Sequence, residues 1–145
     1  MTLLEALVRD EGEVLHPYID ATGHKTIGVG HNLDAKPLLW YDGKSDITHE
    51  QAAQILKDDV DDACQDLNIH LPWTYKLDDV RFEVLINMTF NLGIAGLLMF
   101  HGFLAAMHDG EWENAGAAMV DSKWWHQVGD RAIRLRQQVI TGERQ

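Results

Sequence analysis

A single cysteine, Cys64, excludes any intrachain disulfide in this 145-residue chain, so the fold must stand on packing alone. The thiol reads as a small buried hydrophobe on a helix. Positive charge is scarce: 12 Lys and Arg face 23 Asp and Glu, a formal net charge of −11. Eight of the acidic residues fall between Asp42 and Asp66, against only Lys44 and Lys57. That balance argues against a nucleic acid partner, because phosphate binding needs the opposite sign. Arg131, Arg134, Arg136 and Arg144 reverse it only locally near the end. No apolar run approaches the roughly 20 residues that span a bilayer, so no membrane insertion is expected. Residues 1 to 10 carry Glu5, Arg9 and Asp10 where a signal peptide would keep a clean apolar core, which predicts a soluble product made in the cytoplasm. Internal repeats and low-complexity segments are absent. So is any HExxH or close ligand spacing among the eight histidines, and no metal site is expected.

What is present is a hydrophobic fraction of 46% with five tryptophans, enough for one globular domain with a sizeable core. Residues 2 to 11 predict a short amphipathic helix, with Leu3, Leu4, Leu7 and Val8 on one stripe and Gly12 at the place of a left-handed C-terminal cap. Glu11 extends that stripe toward the core, an unusual place for a carboxylate unless it is paired or functional. Asp10 and Glu13 read as surface residues. From Val14 to Gly30, strand formers alternate with turn formers, predicting a small antiparallel hairpin or three-stranded sheet. Residues 34 to 47 read as a loop with one short helical turn around Leu38 to Tyr41.

Thr48 and Gln51 form a capping-box pair that opens a helix running to about Asn68, some 30 Å long and able to link two lobes. Asp58, Asp59, Asp61 and Asp62 read as its solvated face; without a Gly turn or terminal Glu they do not make a calcium loop. Asp78 or Asp79 caps the next helix, densely apolar and buried nearly all round, which Gly93 ends. Helices over 97–107, 111–120 and 130–140 follow, with Gly110 and Gly142 as breaks. Of Trp124 and Trp125, at least one packs in the core, and the other is available for sugar stacking. The sum is α+β: a sheet lobe over 13–47, a linking helix over 48–68, and a helical lobe over 69–145 that takes in the N-terminal helix.

Two carboxylates in unlike environments are the working parts of a glycosidase, one protonated as general acid and one ionised. Glu11 sits at a helix C-terminus on a core-facing stripe, and both effects disfavour its ionised form. Asp20 lies in a polar Gly-containing turn that favours the anion. Thr26 offers a hydroxyl able to orient a water. An Asp in a turn and a Thr in a strand are commonplace, and spacing alone does not make the trio catalytic; Glu11 is the exception, since a carboxylate on an apolar stripe needs an explanation.

Set in DEG, YID and TIGVGH, the series Glu11, Asp20, Thr26 resembles the Glu-Asp-Thr triad of the phage T4 lysozyme type, a family of phage muramidases. VLINMTFNLG at 84–93, EWENA at 111–115, DSKWW at 121–125 and DRAIRLRQQVITG at 130–142 resemble further segments of that family in the same order. The likeness covers nearly the whole chain and is weakest over residues 34–47.

The resemblance implies a lysozyme-like fold and hydrolysis of the β-1,4 bond between N-acetylmuramic acid and N-acetylglucosamine in bacterial peptidoglycan, with no cofactor. Glu11 would protonate the glycosidic oxygen, while Asp20 and Thr26 direct a water at the opposite face of the sugar. It further implies a buried His31–Asp59 pair, contact of Arg131 with Glu11 and of Arg134 with Asp10, and sugar contacts at Asn32 and Phe90. Phe103 and Ala118 stand where the family often has small polar sugar contacts, so subsite chemistry there would differ. The implied setting is that of a monomeric phage endolysin or virion-associated lysozyme. Release from the host would depend on a holin-like membrane-permeabilising protein, or else the enzyme would be carried in a particle. Two rivals are a lytic transglycosylase using Glu11 alone and a non-catalytic wall-binding or particle-structural module.

Overall fold

The computed structural model describes residues 1–145. The architecture is α+β, with three short strands near the N-terminus and helices thereafter. The chain divides into two compact units, residues 2–61 and residues 62–145 with Met1, and the division falls inside one long helix.

In the first unit, α1 (Leu3–Glu11) opens on a capping box in which Thr2 and Glu5 satisfy each other's backbone N–H. Gly12 ends it with its N–H on Val8 O, but at ψ 164 the cap is extended rather than the left-handed turn expected. Strands β1 (Val14–Ile19), β2 (Lys25–Gly28) and β3 (His31–Asn32) form an antiparallel sheet in sequence order. Tyr18 pairs with Thr26, Ile19 with Lys25 and Thr26 with Asn32. The ladder is irregular between Val14 and Tyr18, where Pro17 supplies no N–H. Ile47 N meanwhile donates to Leu15 O at 2.8 Å. A core of Ile27, Ile47, Ala52 and Ile55 holds the unit together, with Leu15, Leu33, Leu38 and Tyr41 packed against it.

The expected helical turn around Leu38 to Tyr41 is absent. These four residues instead make a β-turn closed by Tyr41 N to Leu38 O at 3.1 Å, because Leu38 and Tyr41 are both drawn onto the core and the chain must reverse between them. Thr48 and Gln51 cap α2 (His49–His70) reciprocally, as their spacing predicts.

The second unit continues with a 3-10 turn (Pro72–Lys76), α3 (Asp79–Leu98), α4 (His101–Asp109), α5 (Trp112–Val120), α6 (Lys123–Val128) and α7 (Asp130–Thr141). Asp78 is the residue that caps α3. Gly93, at φ 74 and ψ 162, leaves the helical conformation and ends the first of two helices that run together over this span, as expected, and the second breaks at Met99 and Phe100. By length and composition α3 could cross a membrane. Six consecutive buried residues, 84–89, mark it instead as the core helix of its unit. Phe103 and Met107 of α4, Ala115 and Met119 of α5, and Leu135 and Val139 of α7 are buried in the same unit. Gly110 and Gly142 both adopt the left-handed cap expected of them.

Candidate active site

Glu11, Asp20 and Thr26 all belong to the sheet unit. Glu11 is the last residue of α1 and half-buried. Its carboxyl rests against the backbone of Gly30: a Cβ on Gly30 would lie 2.8 Å from Glu11 Oε2 and 3.0 Å from its carboxyl carbon. Gly30 also has φ +66, so two independent constraints require glycine beside this carboxylate.

Asp20 sits at the β1–β2 turn. Its backbone N–H donates to His24 O at 2.9 Å and its carbonyl accepts from Gly23 N at 3.0 Å. The side chain is held from one side only. Thr22 N at 2.9 Å, the Thr22 hydroxyl at 2.8 Å and His24 N at 2.9 Å all donate to Oδ1. With Oδ1 saturated the carboxylate is oriented, and Oδ2 is left for another donor. The His24 N–H and the Thr22 hydroxyl hold the Asp20 carboxyl below the usual carboxylate range, by stabilising the anion.

Thr26 is buried to 3% exposure and donates its hydroxyl proton to His24 O at 2.9 Å. Its oxygen therefore faces any further partner as an acceptor. Tyr18, directly across the ladder from Thr26, was not singled out by the sequence reading. Burial, then the negative charges of Glu11 and Asp20, raise its phenol above the ordinary value, so its hydroxyl lies in the field of both carboxylates. The signal available in the sequence was only its place two residues before Asp20.

His31 pairs with Asp59 through Nδ1 and Oδ2 at 2.7 Å, and its Nε2 meets Lys36 O at 2.8 Å. Burial pulls the imidazole down, but the bond to Asp59, its charge and the Lys36 carbonyl outweigh it and raise the pKa above 6.5. Asp59 therefore belongs to a half-buried pair rather than to a solvated helix face. Asn32 uses its side-chain oxygen to accept Asp34 N and Ala35 N, fixing the turn after β3. Asp10, expected at the surface, has a side chain only 1% exposed, with Arg9 Nε at 3.5 Å.

In the helical unit Arg131 is buried, and its Nε donates to Asn87 Oδ1 at 2.7 Å. Asn87, 2% exposed inside the apolar α3, is thus a functional candidate that the sequence reading passed over. An amide in so apolar a stretch was the available clue. Arg134 lies half-buried one turn further along α7. Phe90 and Ala118 are half-buried, whereas Phe103 is 1% exposed and edge-on to Phe100, offering packing rather than a surface. Trp124 is likewise a core residue, its indole N–H donating to Asn91 Oδ1 at 2.7 Å.

A family model described as phage lysozyme matches residues 8–139 of the chain. The chain is 33% identical, over 98% of its length, to the pre-baseplate central spike protein Gp5 of Enterobacteria phage T4, and spans 28% of that protein. It is 30% identical, over 97% of its length and 95% of the relative's, to probable T4-type lysozyme 1 of Dictyostelium discoideum. Probable T4-type lysozyme 2 of the same organism is 27% identical over 97% of the chain.

Proposed function

Because the chain belongs to the phage lysozyme family, we propose that it is an inverting muramidase that cleaves the β-1,4 bond between N-acetylmuramic acid and N-acetylglucosamine in peptidoglycan. One observation carries this reading. Asp20 is held as an anion by three donors on Oδ1 that leave Oδ2 for a water, in the same unit as Glu11, whose carboxyl packs against Gly30.

In the proposed reaction Glu11, protonated, gives its proton to the glycosidic oxygen as the bond from that oxygen to the anomeric carbon breaks. A water attacks the anomeric carbon from the opposite face, and its proton passes to Asp20 Oδ2. Thr26 Oγ1 accepts the water's other hydrogen and fixes its direction. Inversion requires the carboxyls about 6.5–9.5 Å apart, room enough for that water. Asn32 is proposed as a sugar contact of the sheet unit; Phe90 and Ala118 keep enough exposure to serve in the helical unit. The likeness to a phage spike protein favours action from a particle over free release.

The test is digestion of purified peptidoglycan by the wild type, Glu11→Gln and Asp20→Ala, followed by analysis of the sugar ends. New reducing ends from the wild type, lost in both variants, are expected. Anhydromuramic ends that persist in Asp20→Ala would identify a transglycosylase instead, and an inert wild type would identify a binding module.

A further inference from the structure

We propose that Leu39 and Trp40 form a second glycan-binding element, a stacking platform that holds a peptidoglycan sugar strand outside the catalytic residues; this rests on the muramidase reading above.

The two residues are the corner positions of the β-turn Leu38–Tyr41. Such corners favour Gly, Pro, Asn, Asp and Ser, which suit the backbone and the water around them. Here they carry a leucine that is 101% exposed and a tryptophan that is 55% exposed. A single exposed apolar side chain needs no explanation. An adjacent Leu–Trp pair at a tightly held tip does, because nothing in the loop buries it.

The tip is rigid. Leu38 and Tyr41 are packed on the core of Ile27, Ile47, Ala52 and Ile55, which forces the two residues between them outward. The Tyr41 hydroxyl donates to Ser45 O at 2.8 Å. Asp42 accepts Lys44 N and Ser45 N, each at 2.8 Å, and the Ser45 hydroxyl. Lys25 Nζ then ties Gly43 O to the sheet at 2.7 Å. The Tyr41 ring meets the indole at 64° with centroids 5.9 Å apart, steadying it. A platform already ordered loses little entropy on binding.

Its neighbourhood and its apolar character select the occupant. Lys25, which anchors the loop at Gly43, pairs with Ile19, the residue before Asp20, so the loop that carries the platform is tied to the strand end beside that turn. N-acetylated sugars present apolar ring faces and methyl groups that stack on indole without needing a charged partner. The exposed loop carries Asp34, Asp42 and Asp46 beside Lys36 and Lys44, so its charges largely offset one another and the tip offers a ligand apolar surface rather than a charged group.

The test uses Glu11→Gln as the background, so that the wall is bound without being digested, and measures its co-sedimentation with insoluble peptidoglycan. Adding Trp40→Ser is expected to weaken retention roughly tenfold, as loss of one stacked indole predicts, and Trp40→Phe to restore part of it. N-acetylglucosamine oligomers should compete for the Trp40 chain and not for the Trp40→Ser chain at the same concentration. Equal retention with and without Trp40 overturns the proposal. So does a Trp40-dependent association with vesicles of anionic phospholipid, or with a second copy by sedimentation, when retention on the wall is unchanged. If the wild type releases no reducing ends from the same peptidoglycan, the muramidase reading fails instead, and the two failures are read separately.

Discussion

Gly30 lies so close beneath Glu11 that a single added methyl group would fall 2.8 Å from the carboxylate oxygen. Gly30→Ala must therefore either push Glu11 off its position or strain a backbone at φ +66. Displacement of a catalytic group by about 1 Å can cost on the order of 10²-fold. The expected outcome is a kcat on peptidoglycan reduced by about that factor, with the chain still cooperatively folded by thermal melt. Full activity in Gly30→Ala would show that Glu11 is not held against this backbone.

In the proposed reaction Thr22 would act through Asp20. Its hydroxyl is one of three donors on Asp20 Oδ1, and Thr22→Ala removes that bond alone. The carboxyl then moves up toward the ordinary range, because its anion has lost a stabilising donor. The acid limb of the kcat/KM profile should shift to higher pH while the alkaline limb stays in place. A profile unchanged on the acid side would mean that Asp20 does not control it.

The His31–Asp59 pair makes stability depend on pH with a definite sign. The folded-state pKa of His31 is raised above 6.5, so its contribution is complete below about pH 6.5 and is lost as pH rises through the higher folded value. Urea unfolding at several pH values should show stability falling over that window in the wild type and flat in His31→Asn. A double-mutant cycle with Asp59→Asn should give a coupling of about 2–3 kcal/mol at pH 6, in the range of hydrogen bonds to charged groups.

Arg81 closes the end of α7. Its Nε donates to Val139 O at 2.7 Å and a terminal nitrogen to Ile140 O at 3.2 Å, while the guanidinium lies 4.0 Å from the centre of the Trp112 ring. Arg81→Ala should cost about 1–3 kcal/mol of stability. Arg81→Lys should recover little of it, because an ammonium cannot span two carbonyls and stack at once. Denaturant unfolding of the two variants decides the point.

Charge should set the salt response. A wall of negative sign repels a chain of net charge −11, and ions screen that repulsion. Lysis of cells should rise severalfold between about 10 and 100 mM salt, where a cationic lysozyme would lose activity. A steep fall over the same range would contradict this.

Local signals made much of the fold legible. Thr48 with Gln51, Asp78, Gly110 and Gly142 each mark a helix end through chemistry confined to a few residues. The break at Met99 and Phe100 carries no glycine or proline, so packing decides it; α6 is marked locally by Ser122 at its N-cap and Gly129 at its end, but its six residues are too few for a helical period to show. Leu38 to Tyr41 was misread because four apolar residues look helical until the core they reach is known. At the site, the candidate acid was marked by its place on an apolar stripe. The backbone packed against it was hidden, because Gly30 approaches Glu11 across 19 positions of sequence and reads only as a turn former. Asn87 and Arg131 meet across 44 positions, beyond any local pattern.

Pro17 and the irregular stretch around it have a consequence for the protein as a population of molecules. β1 is an outer strand, the kind of edge on which a neighbouring chain can pair and start a fibre. Here the edge cannot be copied. Leu15 O is already taken by Ile47 N, Pro17 has no N–H to offer, and the interrupted ladder between Val14 and Tyr18 breaks the repeat that an incoming strand would need. Along β1 the sheet that carries Asp20 is therefore a poor template for aggregation, however many copies are brought together.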